Sequence, residues 1–222
     1  MEFAGLEAGN VVVLPQDRLR ARLKQETTAA HARIEDHPRL AALARGAVSE
    51  AEYRQILLLK LAFWRPVERA IAGAADWATL GAPLAGHEGA PRLVADLQDL
   101  GCTASELAAL PDCAEIPQIQ TVWQAVGCRY VLAGASLGGK VIARALDKTC
   151  RSFPLRFYTS GGESIGRAWK SFCNTLDSLR PTEREEGTII GAACDTFARL
   201  HEHLERSQSR HCDHKARSHL PC

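Results

Sequence analysis

The sequence lacks an apolar run long enough to cross a membrane. Its longest, residues 56–64, is interrupted by Lys60, whereas a spanning helix needs about 20 consecutive apolar residues. It also lacks charge of one sign. Lys and Arg number 27 against 26 Asp and Glu, a net charge of +1, so no global field gathers nucleic acid or anionic membrane and neither partner is expected. There is no basic n-region and no small-residue cleavage site. Glu2 and Glu7 precede the short apolar run at residues 11–14, and a cytoplasmic location is expected. No CxxC pair occurs among the eight cysteines, and a chain of 222 residues buries enough core to need no disulfide staples. Cys128, Cys173 and Cys194 fall in apolar helical patterns and are expected to be reduced core thiols. Alternating strand patterns and internal repeats are absent as well, which excludes sheet architectures and solenoids.

What is there is helical periodicity. Leu19, Leu23, Ala30 and Ile34 make one apolar face of a first helix that starts near Pro15 and Asp17 and is stopped by Pro38. Ser49 and Glu52 form a capping box for a second helix, which carries Tyr53, Ile56, Leu57 and Leu61 inward and should kink at Pro66. A Gly- and Pro-rich loop at residues 81–91 precedes a short helix over 92–100, ended by Gly101, and Thr103 with Glu106 starts another turn. A long pattern over 119–146 follows, then a loop through Pro154 and the Gly161, Gly162 pair, then helices over 164–179 and 182–206. The last opens on a Thr182, Glu185 box and shows Ile189, Ala193, Phe197, Leu200 and Leu204 on one side. The pattern predicts an all-α, single-domain helical bundle over residues 15–206, with about seven or eight helices. Residues 1–14 form an extension. The polar, basic tail at 207–222 is expected to be disordered.

Gly127, Gly134 and Gly138 are separated by seven and four residues, which puts them on one stripe if 119–146 is continuous helix. Each costs about 1 kcal/mol against Ala in a helix interior. Either another helix packs closely there or a flat ligand lies against the backbone. The segment 134–140 also fits GxxxxGK of a phosphate-binding loop. That loop needs Ser or Thr after the Lys, where Val141 stands, and a preceding strand, for which only residues 130–133 offer themselves.

Thr27, His31 and Glu35 lie four apart and share one flank of the first helix. A histidine half sheltered by apolar neighbours can offer one ring nitrogen to a metal while a carboxylate orients the other, and Glu35 stands in place for that role. An ordinary interfacial histidine is the alternative. Lys24, one turn before Thr27, can reach an anion near the same place.

These segments resemble a family, the heme oxygenases, and in particular their bacterial, biliverdin-producing branch. LKQETTAAHARIE at 23–35 is similar to the family's proximal helix, in which the histidine ligates iron. YVLAGASLGGKVI at 130–142 resembles the glycine-rich distal helix, and LRFYTSGG at 155–162 with GRAWKSF at 166–172 resembles the segment that follows. The likeness spans 19–206. It implies His31 as the iron ligand, supported by Thr27 and Glu35, and heme held between a proximal and a distal helix. It further implies that Gly134, Gly138 and the neighbouring Gly139 bring backbone close to the face where oxygen binds, with the Ser136 hydroxyl nearby. Lys24, Arg129 and Lys170 are implied as partners for the heme propionates. Ala133 and Ala135 depart from the acidic residues that relatives place beside the first distal glycine.

The implied reaction is oxidative cleavage of heme, both substrate and cofactor, to biliverdin, carbon monoxide and ferrous iron. It uses O2 and electrons from a ferredoxin-like or flavoprotein donor. A monomer is expected, and a biliverdin-using photoreceptor is a conceivable recipient of the product. The alternatives are a non-catalytic heme or bilin carrier, motivated by Ala133 and Ala135, and a helical enzyme of the thiaminase-like branch of this fold, which needs an activated cysteine. Metal handling by His211, Cys212, His214, His219 and Cys222 is a third, although their spacing matches no established finger.

Overall fold

The computed structural model describes residues 18–74, 77–80, 89–149, 152–159 and 164–217, and no strand occurs among them. The expected helix start at Pro15 and the extension over residues 1–14 lie outside the described residues. Helix α1 (Arg18–Glu35) is followed at once by α2 (Pro38–Ala44), which the periodicity does not announce. Pro38 does stop α1, as its clash with the preceding residue requires, but it also occupies the first turn of a new helix. There its fixed φ is favourable and its missing N–H is no loss. Leu40 and Leu43 of this short helix are buried.

Helix α3 (Glu50–Ala74) begins on the expected box: the Ser49 N–H donates to Glu52 Oε2 at 2.8 Å, and the Glu52 N–H donates to Ser49 Oγ at 3.3 Å. It passes through Pro66. A proline leaves the carbonyl four residues back without a helical donor. Here that carbonyl belongs to Ala62, and it accepts the N–H of Cys113 at 2.8 Å. Arg65 adds to the same anchorage, donating from Nε to Asp112 at 2.7 Å and from its other nitrogens to the carbonyls of Leu107 and Leu110.

A 3-10 turn (Trp77–Leu80) precedes α4 (Ala90–Asp99), whose first N–H groups are received by Glu68 of α3, from Gly89 at 2.5 Å and Ala90 at 3.1 Å. Gly101 adopts φ +83 after α4, and Thr103 with Glu106 caps α5 (Ala104–Ala109), as their sequence predicts. Helix α6 (Val122–Thr149) is continuous. Residues 130–140 are therefore helix, without the strand and turn a phosphate-binding loop requires, and that reading is withdrawn.

The four-residue α7 (Arg156–Thr159) owes its place to a distant cap. Asp96, fully buried on α4, accepts the N–H groups of Arg156 at 3.0 Å and Phe157 at 2.8 Å. Helices α8 (Ser164–Ser178) and α9 (Glu183–Arg217) complete the described elements. The Thr182 N–H donates to Glu185 at 2.7 Å, as the box predicts. Helix α9 runs on past Arg206 to Arg217, beyond the boundary the apolar pattern sets. Backbone over 207–217 is thus helical where disorder was expected, since propagation adds a hydrogen bond per residue once a helix is established. Residues 218–222 lie outside the described residues.

Two apolar clusters divide the interior. One joins α2, α3, α4, α7 and α9 to one side of α6, around Tyr53, Phe63, Trp64, Leu93 and Phe157. The other joins α1, α8 and α9 to another side of α6, around Leu23, Val126, Phe172, Ile189 and Phe197. Helices α6 and α9 contribute to both and form the central pair. No described helix is long and apolar enough to cross a membrane.

Candidate functional site

Thr27, His31 and Glu35 do share a flank of α1, yet they meet different surroundings. Thr27 is buried, and its hydroxyl donates to the Leu23 carbonyl at 2.6 Å, the back-bond that threonine makes in a helix. The Tyr130 side chain of α6 lies beside that hydroxyl, and burial raises the Tyr130 pKa. His31 and Glu35 project outward, 54% and 67% exposed, with His31 Nδ1 3.4 Å from Glu35 Oε2. The His31 ring stands at 83° to Phe197 of α9, centroids 5.8 Å apart. A proton on Nδ1 facing the carboxylate leaves the Nε2 lone pair for a metal. Lys24 is exposed on the same helix.

The glycine stripe on α6 is packed at one end and open at the other. A Cβ on Gly127 would overlap the Ile189 carbonyl of α9 and lie 3.0 Å from Ala192 and Ala193 atoms. Here close helix packing is the reason for glycine. At Gly134 an added Cβ would meet only the Trp169 ring, at 3.9 Å, and at Gly138 it would meet nothing within 4 Å. No group among the described residues accounts for the absence of a side chain at these two positions. Gly139 belongs with Gly127 instead: its Cβ would come 2.8 Å from the Tyr158 carbonyl of α7.

The remaining expected residues separate. Arg129 is 4% exposed and sits about 140° around α6 from Gly134, so it faces the interior and not the open stripe. It is withdrawn as a propionate partner. Lys170 is exposed on α8, next to Trp169. The side chain of Ser136 lies outside the described residues, as do those of the five His and Cys of the tail. Ala133 and Ala135 are half-buried and pack against the two apolar clusters. Among the described residues no cluster of three or more His, Cys, Asp or Glu is placed to hold a metal ion.

Three aromatic residues complete the site that periodicity alone left in the core. Tyr130 lies beside Thr27, Trp169 lies 5.8 Å from Tyr130 and borders Gly134, and Phe197 backs His31. Their apolar spacing is legible in the sequence, but their convergence from α6, α8 and α9 is tertiary. The cysteines stay out. Burial raises the thiol pKa of Cys113, Cys173 and Cys194, and pushes Cys128 up to about 11. None is the activated thiolate that a thiaminase-like reaction needs.

Residues 17–206 match the family profile described as heme oxygenase. The chain belongs to the heme oxygenase family. Its fold is shared with solved heme oxygenases from three bacteria. The enzyme of the cyanobacterium Synechocystis in complex with heme has 15% sequence identity and a TM-score of 0.66 over 89% of this chain and 96% of its own. That of Leptospira interrogans has 15% identity and a TM-score of 0.68 over 85% and 98%. The NO- and CO-bound enzyme of Neisseria meningitidis has 22% identity and a TM-score of 0.65 over 85% and 90%. No curated protein is matched.

Proposed function

We propose that this heme oxygenase holds heme between α1 and the open end of the α6 glycine stripe, with His31 as the iron ligand. The ring is opened oxidatively to biliverdin, carbon monoxide and ferrous iron. The observation that carries the reading is the bare surface at Gly134 and Gly138, which no group among the described residues fills. The residues fit a flat ligand with its own iron: an outward histidine oriented through Nδ1, a helix stripe without side chains, and no competing cluster of ligands among the described residues.

Bound heme supplies the redox-active iron and is itself the substrate. The chain's part is binding, orientation and exclusion. Glu35 would accept the Nδ1 proton of His31 and orient the ring, leaving Nε2 as the nitrogen that would hold the iron. Phe197 limits rotation of that ring. Gly134 and Gly138 admit backbone where a side chain would crowd a small ligand, and Trp169 shields the Gly134 end from water. Lys24 and Lys170 are exposed cations available to propionates. An external ferredoxin-like or flavoprotein donor, a monomeric state and a cytoplasmic setting belong to the same reading.

The test is a hemin titration of the purified protein followed by addition of reductant in air. A saturating Soret band that gives way to bilin absorbance and released carbon monoxide is the expected result. A Soret band that persists through repeated additions of reductant and donor protein would leave a carrier in place of an enzyme.

A further inference from the structure

On the other side of α9 lies a second cavity, of about 530 Å³, within the range of small-molecule sites. Its floor is apolar, made by Leu58, Leu59 and Ala62 of α3 with Leu110 and Pro111 of the following loop. Arg206 of α9 lines it and is nine residues from Phe197, which turns it about 180° away from the face that backs His31. The loop wall is held firmly. Ala62, freed by Pro66, receives Cys113, and Arg65 fixes Asp112 and Leu110.

The charges on the rim are unequally satisfied. Asp112 is bonded by Arg65 at 2.7 Å and Arg69 at 3.3 Å. Glu115 is held bidentately by Arg206, at 2.5 and 2.6 Å, with Arg199 at 3.7 Å. Each acid lining the cavity thus already faces two guanidiniums. Arg39 faces none of them: among the described residues its guanidinium contacts only Ser207, Oγ at 3.3 Å and the carbonyl at 3.4 Å. Both are long bonds to neutral oxygens. The Cys113 thiol in the wall is kept protonated by burial and adds no negative charge. A half-buried cation without a carboxylate, at the edge of an apolar floor, is complementary to an amphipathic anion.

We infer that this cavity binds an apolar carboxylate, with its acid group on the Arg39 guanidinium and its hydrocarbon body over Leu58, Leu59, Ala62 and Leu110. Two sources share that chemistry, a fatty acid and a propionate-bearing bilin, and competition separates them.

The probe is dansyl-undecanoate, titrated by fluorescence into the full chain with and without hemin. Saturable binding that persists in the hemin-loaded protein and in His31→Ala is expected. Arg39→Gln, and the matching dansyl alcohol on the parent protein, should each weaken it roughly tenfold, as loss of a charge-assisted bond implies. Arg39→Lys, which keeps the charge, should recover most of the affinity, and melting curves confirm that each variant is folded. Displacement by dodecanoate alone assigns the site to fatty acids, and displacement by biliverdin assigns it to the bilin. Absence of saturable binding overturns the inference. So does binding indifferent to Arg39→Gln, and so does binding abolished by hemin, which would put the probe in the heme cleft.

Discussion

The Tyr130 side chain of α6 lies beside the Thr27 hydroxyl of α1, bringing the two helices together one turn before Gly134 on one and one turn before His31 on the other. Thr27 donates its own proton to the Leu23 carbonyl at 2.6 Å. Gly134 and His31 therefore flank one contact between α6 and α1. Changing it from either side should have unequal effects. Tyr130→Phe leaves Thr27 satisfied by Leu23 and should lower stability by about 1 kcal/mol. Thr27→Val removes the 2.6 Å bond to Leu23 together with the hydroxyl beside Tyr130 and should cost more, about 2 kcal/mol. Urea unfolding of both and of the double variant measures the coupling. Strictly additive losses would show that this contact does not couple the helices.

The divided glycine stripe makes a sharper prediction. Gly127→Ala drives a Cβ into the Ile189 carbonyl, a backbone atom that cannot step aside, and should destabilise the protein by about 2–3 kcal/mol. Gly138→Ala meets nothing and should stabilise it by up to about 1 kcal/mol, the helix-propensity difference. Gly138→Leu should keep the melting temperature and His31 ligation but suppress biliverdin formation, because the added side chain would occupy the face proposed for oxygen. Parent-rate turnover in a stable, heme-loaded Gly138→Leu protein would remove the stripe from the site.

What could be read from sequence was what is decided locally. The boxes at Ser49, Thr103 and Thr182 involve partners three residues apart, and all three form. The long helix α6 and its glycine stripe announce themselves by spacing, but which end α9 covers depends on how two helices cross. Helix α7 rests on Asp96, some 60 residues earlier, so no local signal announces it. Arg129 misleads for a related reason: a charged residue beside a recognised motif reads as exposed and available, whereas its register on α6 turns it inward. Trp169 and Phe197 look like ordinary core positions until α8 and α9 bring them to Gly134 and His31.

A buried cation should mark the pH dependence of stability. Lys60 is 7% exposed, and its Nζ lies 5.0 Å from Trp64, 5.4 Å from Phe157 and 5.8 Å from Tyr158. Ring faces only partly replace water, and burial lowers its pKa from 10.5 to about 8. The folded state releases this proton first, so its contribution to stability rises with pH from about 8 to 10.5, by about 3 kcal/mol in all. The buried thiols and tyrosines, whose pKa values are raised, act in the opposite direction above pH 9. The difference between parent and Lys60→Met isolates the lysine. Lys60→Met should be the more stable protein at pH 7, and its advantage should fade toward pH 10.5. An advantage that stays constant across that range would mean that Lys60 keeps its proton in the folded protein.

The His31 side chain is more than half exposed and rests against Phe197, so His31→Ala should shift stability by no more than about 0.5 kcal/mol, the usual range for surface substitutions. Heme affinity should nevertheless fall steeply and the spectrum of an imidazole-ligated iron disappear, because the nearest histidine in sequence on that segment cannot take over. His37 is 2% exposed, faces His201 and Glu205, and is kept neutral by burial, which lowers its pKa. Free imidazole should restore the ligated spectrum in His31→Ala, since the vacated position is open from outside. Glu35→Gln should behave differently: at 67% exposure the carboxylate acts through weak, screened contact, so heme remains bound with an affinity reduced only about threefold. Titrations of the three proteins with hemin, run beside their melting curves, separate ligation from folding. An unchanged spectrum in a folded His31→Ala protein would place the iron on another residue.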